Sequence, residues 1–253
     1  MKKKILALIP TRLNSKRLPA KALLPINGLP LIIHVYNRSL LSKKLNKVII
    51  CCDDKKIFDI CKKYDANVMM TSKSHLNGTD RICEAYSKLK TKYDLVVDIQ
   101  GDEPLIDPNH IDRVINYHLK NIHTDIILPH LNVRPSNNSN IVKLVTNKND
   151  EVVYISRANL PFEFNKKNMF LKKHLSIISF QPNSLLKFGK SKISQLELIE
   201  DIELLRAINI GLKIKTINLN GDSFSVDVID DYKKAQKKIK RDKYFKIYKQ
   251  KYN

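Results

Sequence analysis

Asp102 and Asp227 are the two residues of this 253-residue chain whose positions best suit metal chemistry. Asp102 follows Gly101 just beyond the apolar run 95–99, and Asp227 ends a short apolar segment far along the chain. Carboxylate oxygens in such places can coordinate Mg²⁺, which prefers oxygen ligands and often bridges phosphate groups. We therefore predict that Asp102 and Asp227 share a magnesium ion, with capping of the following helix as the alternative for Asp227.

A loop dense in cations follows the apolar run 5–9 near the start of the chain. It carries Arg12, Lys16, Arg17 and Lys21 within ten residues. Arginine suits bidentate contact with phosphate oxygens, and lysine acts on them as a point charge. The loop therefore suits a polyanion such as a nucleoside triphosphate, while a solvated basic loop is the simpler alternative.

Phosphoryl and nucleotidyl transfer need little besides positioned cations, a metal ion and an in-line nucleophile. These two groups of residues could supply the first two requirements. The sequence contains neither GxxxxGK[ST] nor GxGxxG after its first apolar run. The chain is therefore predicted to be neither a P-loop NTPase nor a dinucleotide-binding Rossmann protein.

The elements that must position these residues alternate in type through the first half of the chain. Strands are predicted at 4–9, 47–52, 67–70 and 94–99, and helices at 30–42, 55–64, 79–90 and 108–121. This order indicates a mostly parallel sheet, whose ligands bind beyond the carboxyl ends of the strands. Gly78 and Gly101 lie in the polar segments that follow two of these strands, where the backbone must turn sharply or approach a ligand closely.

The second half of the chain has a different pattern. Strands 142–146 and 152–156 form a predicted hairpin, and another strand is expected near 174–180. A helix at 195–210, a strand at 213–218 and a helix from about 229 follow. The chain is thus predicted to be a single α/β domain, 1–253, with a β-rich lobe inserted at about 135–192.

Composition restricts the remaining function classes. The net charge is +21, but the lysines are scattered, Trp is absent and no nucleic-acid-binding signature occurs, so neither nucleic acid nor a membrane is expected as a partner. No apolar run approaches the length of a membrane span, and the start of the chain lacks a cleavage site, so a cytoplasmic protein is expected. The four cysteines form no CxxC pair, which favours neither zinc nor disulfides.

An ordered set of motifs resembles the CMP-Kdo synthetase family, the 3-deoxy-manno-octulosonate cytidylyltransferases. No single motif is decisive, but together they span nearly the whole chain in the order typical of that family. They are Ile9-Pro10-Thr11-Arg12, Arg17-Leu18-Pro19, Asn27-Gly28-Leu29-Pro30, Asn77-Gly78-Thr79-Asp80-Arg81, Gln100-Gly101-Asp102-Glu103-Pro104, Ser156-Arg157-Ala158-Asn159-Leu160-Pro161, Leu196-Glu197 and Val226-Asp227.

The resemblance implies an enzyme that transfers CMP from CTP to the anomeric hydroxyl of a 2-keto-3-deoxy sugar acid and releases pyrophosphate. It implies a Rossmann-like fold of the nucleotide-diphospho-sugar transferase type, a lobe that mediates a homodimer, Mg²⁺ as cofactor and a role in lipopolysaccharide synthesis. Arg12 and Lys21 would hold phosphates, Asp102 and Asp227 the metal. The implied substrate-binding residues are Ser15, Arg17, Thr79, Asp80, Arg81, Gln100, Arg157, His174, Glu197 and Glu200.

The chain departs from the family pattern mainly on the sugar side. The family pattern His-x-Gly-x-Tyr-x-Tyr reads His174 to Phe180 here, with Ser176, Ile178 and Phe180 at the altered positions. Leu204 replaces a glutamine, and nearer the nucleotide Ala20 and Asn77 replace a common Gly and Ser. We expect Kdo or a close variant, such as an amino- or deoxy-acid, as substrate; neutral drift at positions remote from the sugar is the alternative.

Two other functions remain open at this stage. One is activation of a nine-carbon sialic-type acid, although Leu13-Asn14 and Leu18 fit the Kdo type better than the usual Arg-Gly-Gly-Ser-Lys-Arg-Ile-Pro loop. The other is a non-catalytic, basic nucleic-acid-binding protein. The paired cations and carboxylates disfavour it, since such a protein has no physical need for carboxylates facing a phosphate pocket.

Overall fold

The computed structural model of the chain describes residues 3–15, 17–165, 170–222 and 224–252. Within them, a seven-stranded sheet forms the centre of the fold, with strands in the order β13-β7-β12-β6-β1-β4-β5. Its members are β1 (Ile5–Thr11), β4 (Lys47–Cys52), β5 (Val68–Met70), β6 (Leu95–Ile99), β7 (Ile126–Ile127), β12 (Ile177–Phe180) and β13 (Ile214–Lys215). The expected α/β fold with a mostly parallel sheet is confirmed.

The strand β1 is the centre of this sheet because its apolar sequence tolerates burial on both faces. All of its residues are buried, and it pairs in parallel with β4 on one side and β6 on the other. Near-continuous apolar runs are typical of parallel strands covered by helices on both sides. The strand β12 instead runs antiparallel between β6 and β7.

The helices of the first half lie where the apolar periodicity predicts them. They are α1 (Leu31–Leu40), α2 (Lys55–Lys63), α3 (Gly78–Ser87) and α4 (Pro108–Lys120). Three begin at an Asx cap: the side chains of Asp54, Asn77 and Asp107 each accept a hydrogen bond from the first turn. Asn77 therefore keeps the capping role that serine would have at this position.

A separate four-stranded antiparallel sheet, in the order β10-β9-β11-β8, forms the lobe. Its strands are β8 (His130–Val133), β9 (Lys143–Thr146), β10 (Val152–Ser156) and β11 (Leu171–His174), and a two-stranded ribbon elsewhere comprises β2 (Pro25–Ile26) and β3 (Leu29–Pro30). The strand expected near 174–180 is in fact two, since β11 ends in the lobe and β12 enters the main sheet. The lobe therefore begins before residue 135, while β12 and α5 (Pro182–Lys190), both within 135–192, belong to the core.

The prediction of a single helix at 195–210 is wrong. Two short helices, α6 (Gln195–Glu200) and α7 (Leu204–Asn209), replace it. Asp201 adopts a left-handed conformation between them, with φ of 51°. The side chain of Arg157 stabilises this break, because it donates hydrogen bonds to the carbonyl oxygens of Glu200 and Asp201 at 2.7 and 2.9 Å. Periodicity alone does not reveal such a tertiary contact.

The chain ends in two helices, α8 (Ile229–Ile239) and α9 (Lys243–Lys249), of which α9 packs on α1. Asp230 and Asp231 lie in the first turn of α8, as their positions predict. The buried ring of His34 joins α1 to α9 through a hydrogen bond to the Tyr248 hydroxyl. No helix among the described residues combines the length and the apolar character that crossing a bilayer requires.

Candidate active site

Two adjoining cavities open at the carboxyl ends of β1 and β6. The larger has a volume of about 990 Å³ and is lined in part by the loop after β1 and by the segment before α3. The smaller, of about 270 Å³, lies towards the lobe and the α6–α7 break. Residues common to both walls mark where the cavities meet: these include Arg17, Gln100, Asp102, Arg157, Glu203 and Asp227.

The two glycines at the strand ends allow the segments around the cavity to approach closely. A Cβ atom on Gly101 would lie 2.6 Å from the carbonyl oxygen of Pro10, and one on Gly78 would lie 3.0 Å from Nε2 of Gln100. Only glycine fits the first position without moving the backbone of β1. These glycines therefore allow protein segments to approach one another, whereas the sequence predicted a sharp turn or approach to a ligand.

Lys21 joins the two predicted metal ligands. Its Nζ donates hydrogen bonds to Oδ2 of Asp102 at 2.8 Å, to Oδ1 of Asp227 at 3.0 Å and to the carbonyl oxygen of Val226 at 3.0 Å. Burial alone would lower the pKa of Lys21, but attraction to the two carboxylates outweighs burial and raises it. Carboxylates 125 positions apart in the chain thus converge on one cation.

Asp227 does not cap the helix that follows it. Its carboxylate accepts hydrogen bonds from Lys21 and, at 2.9 Å, from Ser225 Oγ, and it forms an ion pair with Arg17 at 3.0 Å. Although burial opposes ionisation, these contacts, with Lys21 first, lower the pKa of Asp227. Asp231 performs the capping at the start of α8 instead.

The loop after β1 places Arg12, the other cation predicted to hold phosphates, at the large cavity. Arg12, Ser15 and Arg17 line its wall, and Arg12 is exposed. The Asp53 carboxylate anchors the loop by accepting a hydrogen bond from the Leu13 amide at 3.0 Å. Lys16, predicted to be solvated, lies outside the described residues.

Ala20 shows why this loop position is commonly glycine in the family. Its φ is 50°, in the left-handed region, immediately before the 3₁₀ turn that carries Lys21. This conformation costs a non-glycine residue about 1 kcal/mol or more. The strain therefore lies in Ala20, the residue immediately before Lys21.

Gln100 and Arg81 both contribute to the cavity wall. Gln100 lies at the junction of the cavities and donates a hydrogen bond to Oδ2 of Asp98 at 2.9 Å. Arg81 lines the large cavity, but its guanidinium also binds Thr71 Oγ1 at 2.7 Å and the carboxylate of Asp53 at 3.3 Å. Arg81 thus fixes the ends of β4 and β5 as well as facing the cavity.

Four predicted substrate-binding residues line neither cavity. Asp80 and Glu197 are held by the buried guanidinium of Arg206, at 2.9 and 2.6 Å. Thr79 is buried and donates hydrogen bonds from its amide and hydroxyl to Oε1 of Glu203. Glu200 accepts hydrogen bonds from Ser156 Oγ and the Arg157 amide at 2.7 and 3.0 Å. Their polar groups are occupied in holding the surrounding elements together.

Arg157 and His174 do reach the cavities. Arg157 lies at the junction, although hydrogen bonds to backbone carbonyls on α6, at Asp201 and at Ser139 fix its guanidinium. His174 lines the small cavity, and burial lowers its pKa to about 4, so its ring is neutral near neutral pH. The ring donates Nδ1–H to the Leu175 carbonyl oxygen at 3.2 Å.

Sequence reasoning missed Glu203 and Asp98. Glu203 lines both cavities, and burial raises its pKa to about 7 despite the hydrogen bonds from Thr79. Asp98 is fully buried on β6, and its Oδ1 has no hydrogen-bond partner among the described residues. Burial and repulsion from Glu203 raise the pKa of Asp98 well above its usual value. A charged residue within an apolar strand was the available signal for Asp98.

The altered family positions divide into two groups. Ser176, Ile178 and Leu204 line the small cavity, the last two with only 3% of their surface exposed, whereas Phe180 on β12 is fully buried and lines neither cavity. One of the two missing tyrosine hydroxyls would therefore face the cavity, and the other would not. Neutral drift accounts for Phe180 more simply than it does for Ile178 and Leu204.

The donor set at Lys21 fits a magnesium ion. Asp102 and Asp227 present oxygen atoms that converge within 3.0 Å of one cationic nitrogen. Mg²⁺ is commonly held by one or two carboxylates, with substrate phosphates and water completing its shell. Among the described residues no group of three or more His, Cys, Asp or Glu side chains is arranged to hold a metal ion.

The raised pKa of Glu203 predicts a pH-dependent stability. Between its ordinary value of 4.5 and about 7, the folded protein keeps a proton that the unfolded chain has released. The free energy of unfolding therefore falls as pH rises through this range. The Glu203→Gln variant has no such group and should show a shallower fall. Urea denaturation across the range measures both slopes, and equal slopes would contradict the prediction.

Comparisons with known proteins place this geometry in a family. A family model described as "Cytidylyltransferase" matches residues 6–214 of the chain. The chain is 37% identical over 247 residues to 3-deoxy-manno-octulosonate cytidylyltransferase from Thermodesulfovibrio yellowstonii, covering 92% of this chain and 96% of the relative. It is 35% identical over 241 residues to 8-amino-3,8-dideoxy-manno-octulosonate cytidylyltransferase from Shewanella oneidensis, covering 92% and 97%.

A solved structure agrees with these relatives. CMP:2-keto-3-deoxy-manno-octonic acid synthetase in complex with CTP superposes with a TM-score of 0.88 at 28% identity, covering 94% of this chain and 99% of that chain. The fold, the strand-end cavities and the ordered motifs therefore have one explanation: the chain belongs to the 3-deoxy-manno-octulosonate cytidylyltransferase family.

Proposed function

We propose that this protein transfers CMP from CTP to the anomeric hydroxyl of a 2-keto-3-deoxy sugar acid, Kdo or a close variant such as 8-amino-Kdo, and releases pyrophosphate. The observation that carries the proposal is the convergence of Lys21, Asp102 and Asp227 where the two cavities meet. A triphosphate in the large cavity and a sugar acid in the small one would bring their reacting atoms together at this point.

The cations of the first loop would hold the triphosphate. Arg12 and Arg17 line the large cavity, and Lys21 adds a half-buried positive charge beside the junction carboxylates Asp102 and Asp227. Positioned cations stabilise the charge that develops on a phosphoryl group during transfer, and they act more strongly where water is excluded. Lys21 also keeps Asp102 and Asp227 together before any ligand binds.

Asp102 and Asp227 would hold Mg²⁺. A bound magnesium ion would neutralise phosphate charge and help orient the triphosphate. The contribution of the chain itself is positional: Ser225 donates to Asp227, and Gly101 lets the segment with Asp102 lie against β1. Arg157 would complete the junction on the side of the sugar acid.

The acid itself would enter from the small cavity, where Arg157 and His174 face it. Its carboxylate is the group that Arg157 is best suited to attract. The CMP-activated sugar would then be the glycosyl donor for lipopolysaccharide or surface polysaccharide synthesis, and we propose that it is made in the cytoplasm.

The first prediction concerns the overall reaction. Pyrophosphate release should require CTP, a 2-keto-3-deoxy acid and Mg²⁺ together, and the other three nucleoside triphosphates should support much lower rates. Release is measured with each triphosphate, with and without Kdo, 8-amino-Kdo or a nine-carbon sialic-type acid, and with Mg²⁺ or EDTA. No CTP-specific, acid-dependent release with any acid would overturn the proposal. Salt-dependent binding to generic DNA without turnover would favour the nucleic-acid-binding alternative.

The second prediction concerns the carboxylates. Asp102→Asn and Asp227→Asn should each lower kcat by about 100-fold or more, because each removes charge at the point of transfer. The matched control is Asp59→Asn, since Asp59 is exposed on α2 outside both cavity walls. Circular dichroism and thermal melting should show intact folds. A near-normal rate in either variant would exclude that residue from the metal site.

We also propose that the lobe mediates a homodimer. Phe162 and Phe164, in the segment after β10, are 79% and 83% exposed, and Phe170 beside β11 is also exposed. Clustered exposed aromatic side chains are typical of protein interfaces. Light scattering after gel filtration should give twice the mass of the chain, and the double variant Phe162→Ser/Phe164→Ser should shift the mass towards that of a monomer. A monomeric parent protein would overturn this part of the proposal.

A further inference from the structure

The wall of the small cavity away from the junction is mainly aliphatic. Val142, Ile155, Ile178, Ile202 and Leu204 line this cavity but not the larger one. They come from the start of β9, from β10 and β12, and from the segment that leads into α7, so four parts of the fold contribute to one surface. Such a wall offers dispersion contacts but no hydrogen bonds.

The polar residues confined to the same cavity are largely engaged within the protein. Ser225 Oγ donates to Asp227, and the Nδ1–H of His174 donates to the Leu175 carbonyl oxygen. The backbone carbonyl of Ser176 accepts a hydrogen bond from the Gln100 amide, which leaves the serine hydroxyl and His174 Nε2 to face a ligand. The capacity of this wall to bind several sugar hydroxyls is therefore small.

The orientation of the bound sugar acid follows from the positions of the charged residues. The anomeric hydroxyl must reach the α-phosphate near Lys21, Asp102 and Asp227, which lie on the wall of the large cavity or at the junction. The rest of the sugar acid then extends into the small cavity. The end of the acid remote from its anomeric carbon thus meets the aliphatic wall.

We infer that Ile178 and Leu204 determine the substrate specificity of this protein, and that its preferred acid ends in a methyl group, rather than a hydroxyl or an amino group, at the end remote from the anomeric carbon. The inference rests on the proposed function. A hydroxyl buried against aliphatic side chains loses its hydrogen bonds to water without replacement, whereas a methyl group in its place gains contacts. A site built to bind that hydroxyl would show the opposite preference by several orders of magnitude.

Ile178 and Leu204 are the informative positions because the family pattern has a hydrogen-bonding side chain at each. Tyrosine at 178 and glutamine at 204 would place a hydroxyl and an amide on the same aliphatic wall. Phe180 provides an internal comparison. It also replaces a tyrosine of the pattern, but it lines neither cavity, whereas Ile178 and Leu204, each 3% exposed, line the small one.

The first test compares three acids with CTP: Kdo, its 8-deoxy form and its 8-amino-8-deoxy form. The 8-deoxy acid should exceed Kdo in kcat/KM by about tenfold or more, a difference typical of apolar pockets. Equal values, or a preference for Kdo, would overturn the inference. A clear preference for the 8-amino-8-deoxy acid over both others would also overturn the inference, because a carboxylate such as Glu203 would then bind the amino group at the remote end.

The second test returns hydrogen-bonding groups to the wall. Ile178→Tyr and Leu204→Gln, alone and together, should raise the ratio of kcat/KM for Kdo to that for the 8-deoxy acid by about tenfold or more. Phe180→Tyr and Leu40→Gln are matched controls that make comparable changes in the core and on the exposed end of α1, and they should leave the ratio unchanged. An unchanged ratio in the wall variants would refute the assignment.

Folding and chemistry can be separated in this design. If Ile178→Tyr fails to fold, Val142→Thr adds a hydroxyl to the same wall with little change in volume and should shift the ratio in the same direction. Absence of pyrophosphate release with every acid would defeat the proposed function itself. Turnover with a preference for Kdo would leave that function intact and defeat only the inference about the wall.

Discussion

The contact between the Lys21 ammonium and the carboxylates of Asp102 and Asp227 is the constraint on which the site depends. It joins the loop after the first strand, the segment after β6 and the segment before α8. Each partner is costly to bury alone, because a desolvated charge needs a counter-charge. The three segments are therefore held in one arrangement, and the cavities on either side take their shape from it.

A second charged network supports the wall nearest the small cavity. Arg206 on α7 holds Asp80 on α3 and Glu197 on α6, and its guanidinium lies over the ring of Phe188 on α5. Thr79 on the same α3 fixes one oxygen of Glu203. Asp80 and Glu197, two of the acids predicted to touch substrate, thus hold these helices in place.

Much of the core could be predicted from the sequence because its signals are local. The apolar runs of β1, β4 and β6 and the Asx caps of the first helices specify their own elements. The break at Asp201 could not be predicted in this way, since it depends on Arg157, more than forty positions earlier. Likewise, motif positions identified the loop cations and Asp102, but only the fold shows that Ile178 lines the small cavity and that Phe180, in the same core, does not.

The position of Asp227 has a consequence for biosynthesis. Its partner Lys21 lies 206 residues earlier, so the charge cluster requires two segments that are made far apart in time. Most of the parallel sheet, from β1 to β6, can pair while the last quarter of the protein is still being made. A nascent chain that has not yet released the segment around Asp227 therefore has a half-buried ammonium with only one of its two counter-charges. The charge cluster is completed only after most of the parallel sheet can already have formed.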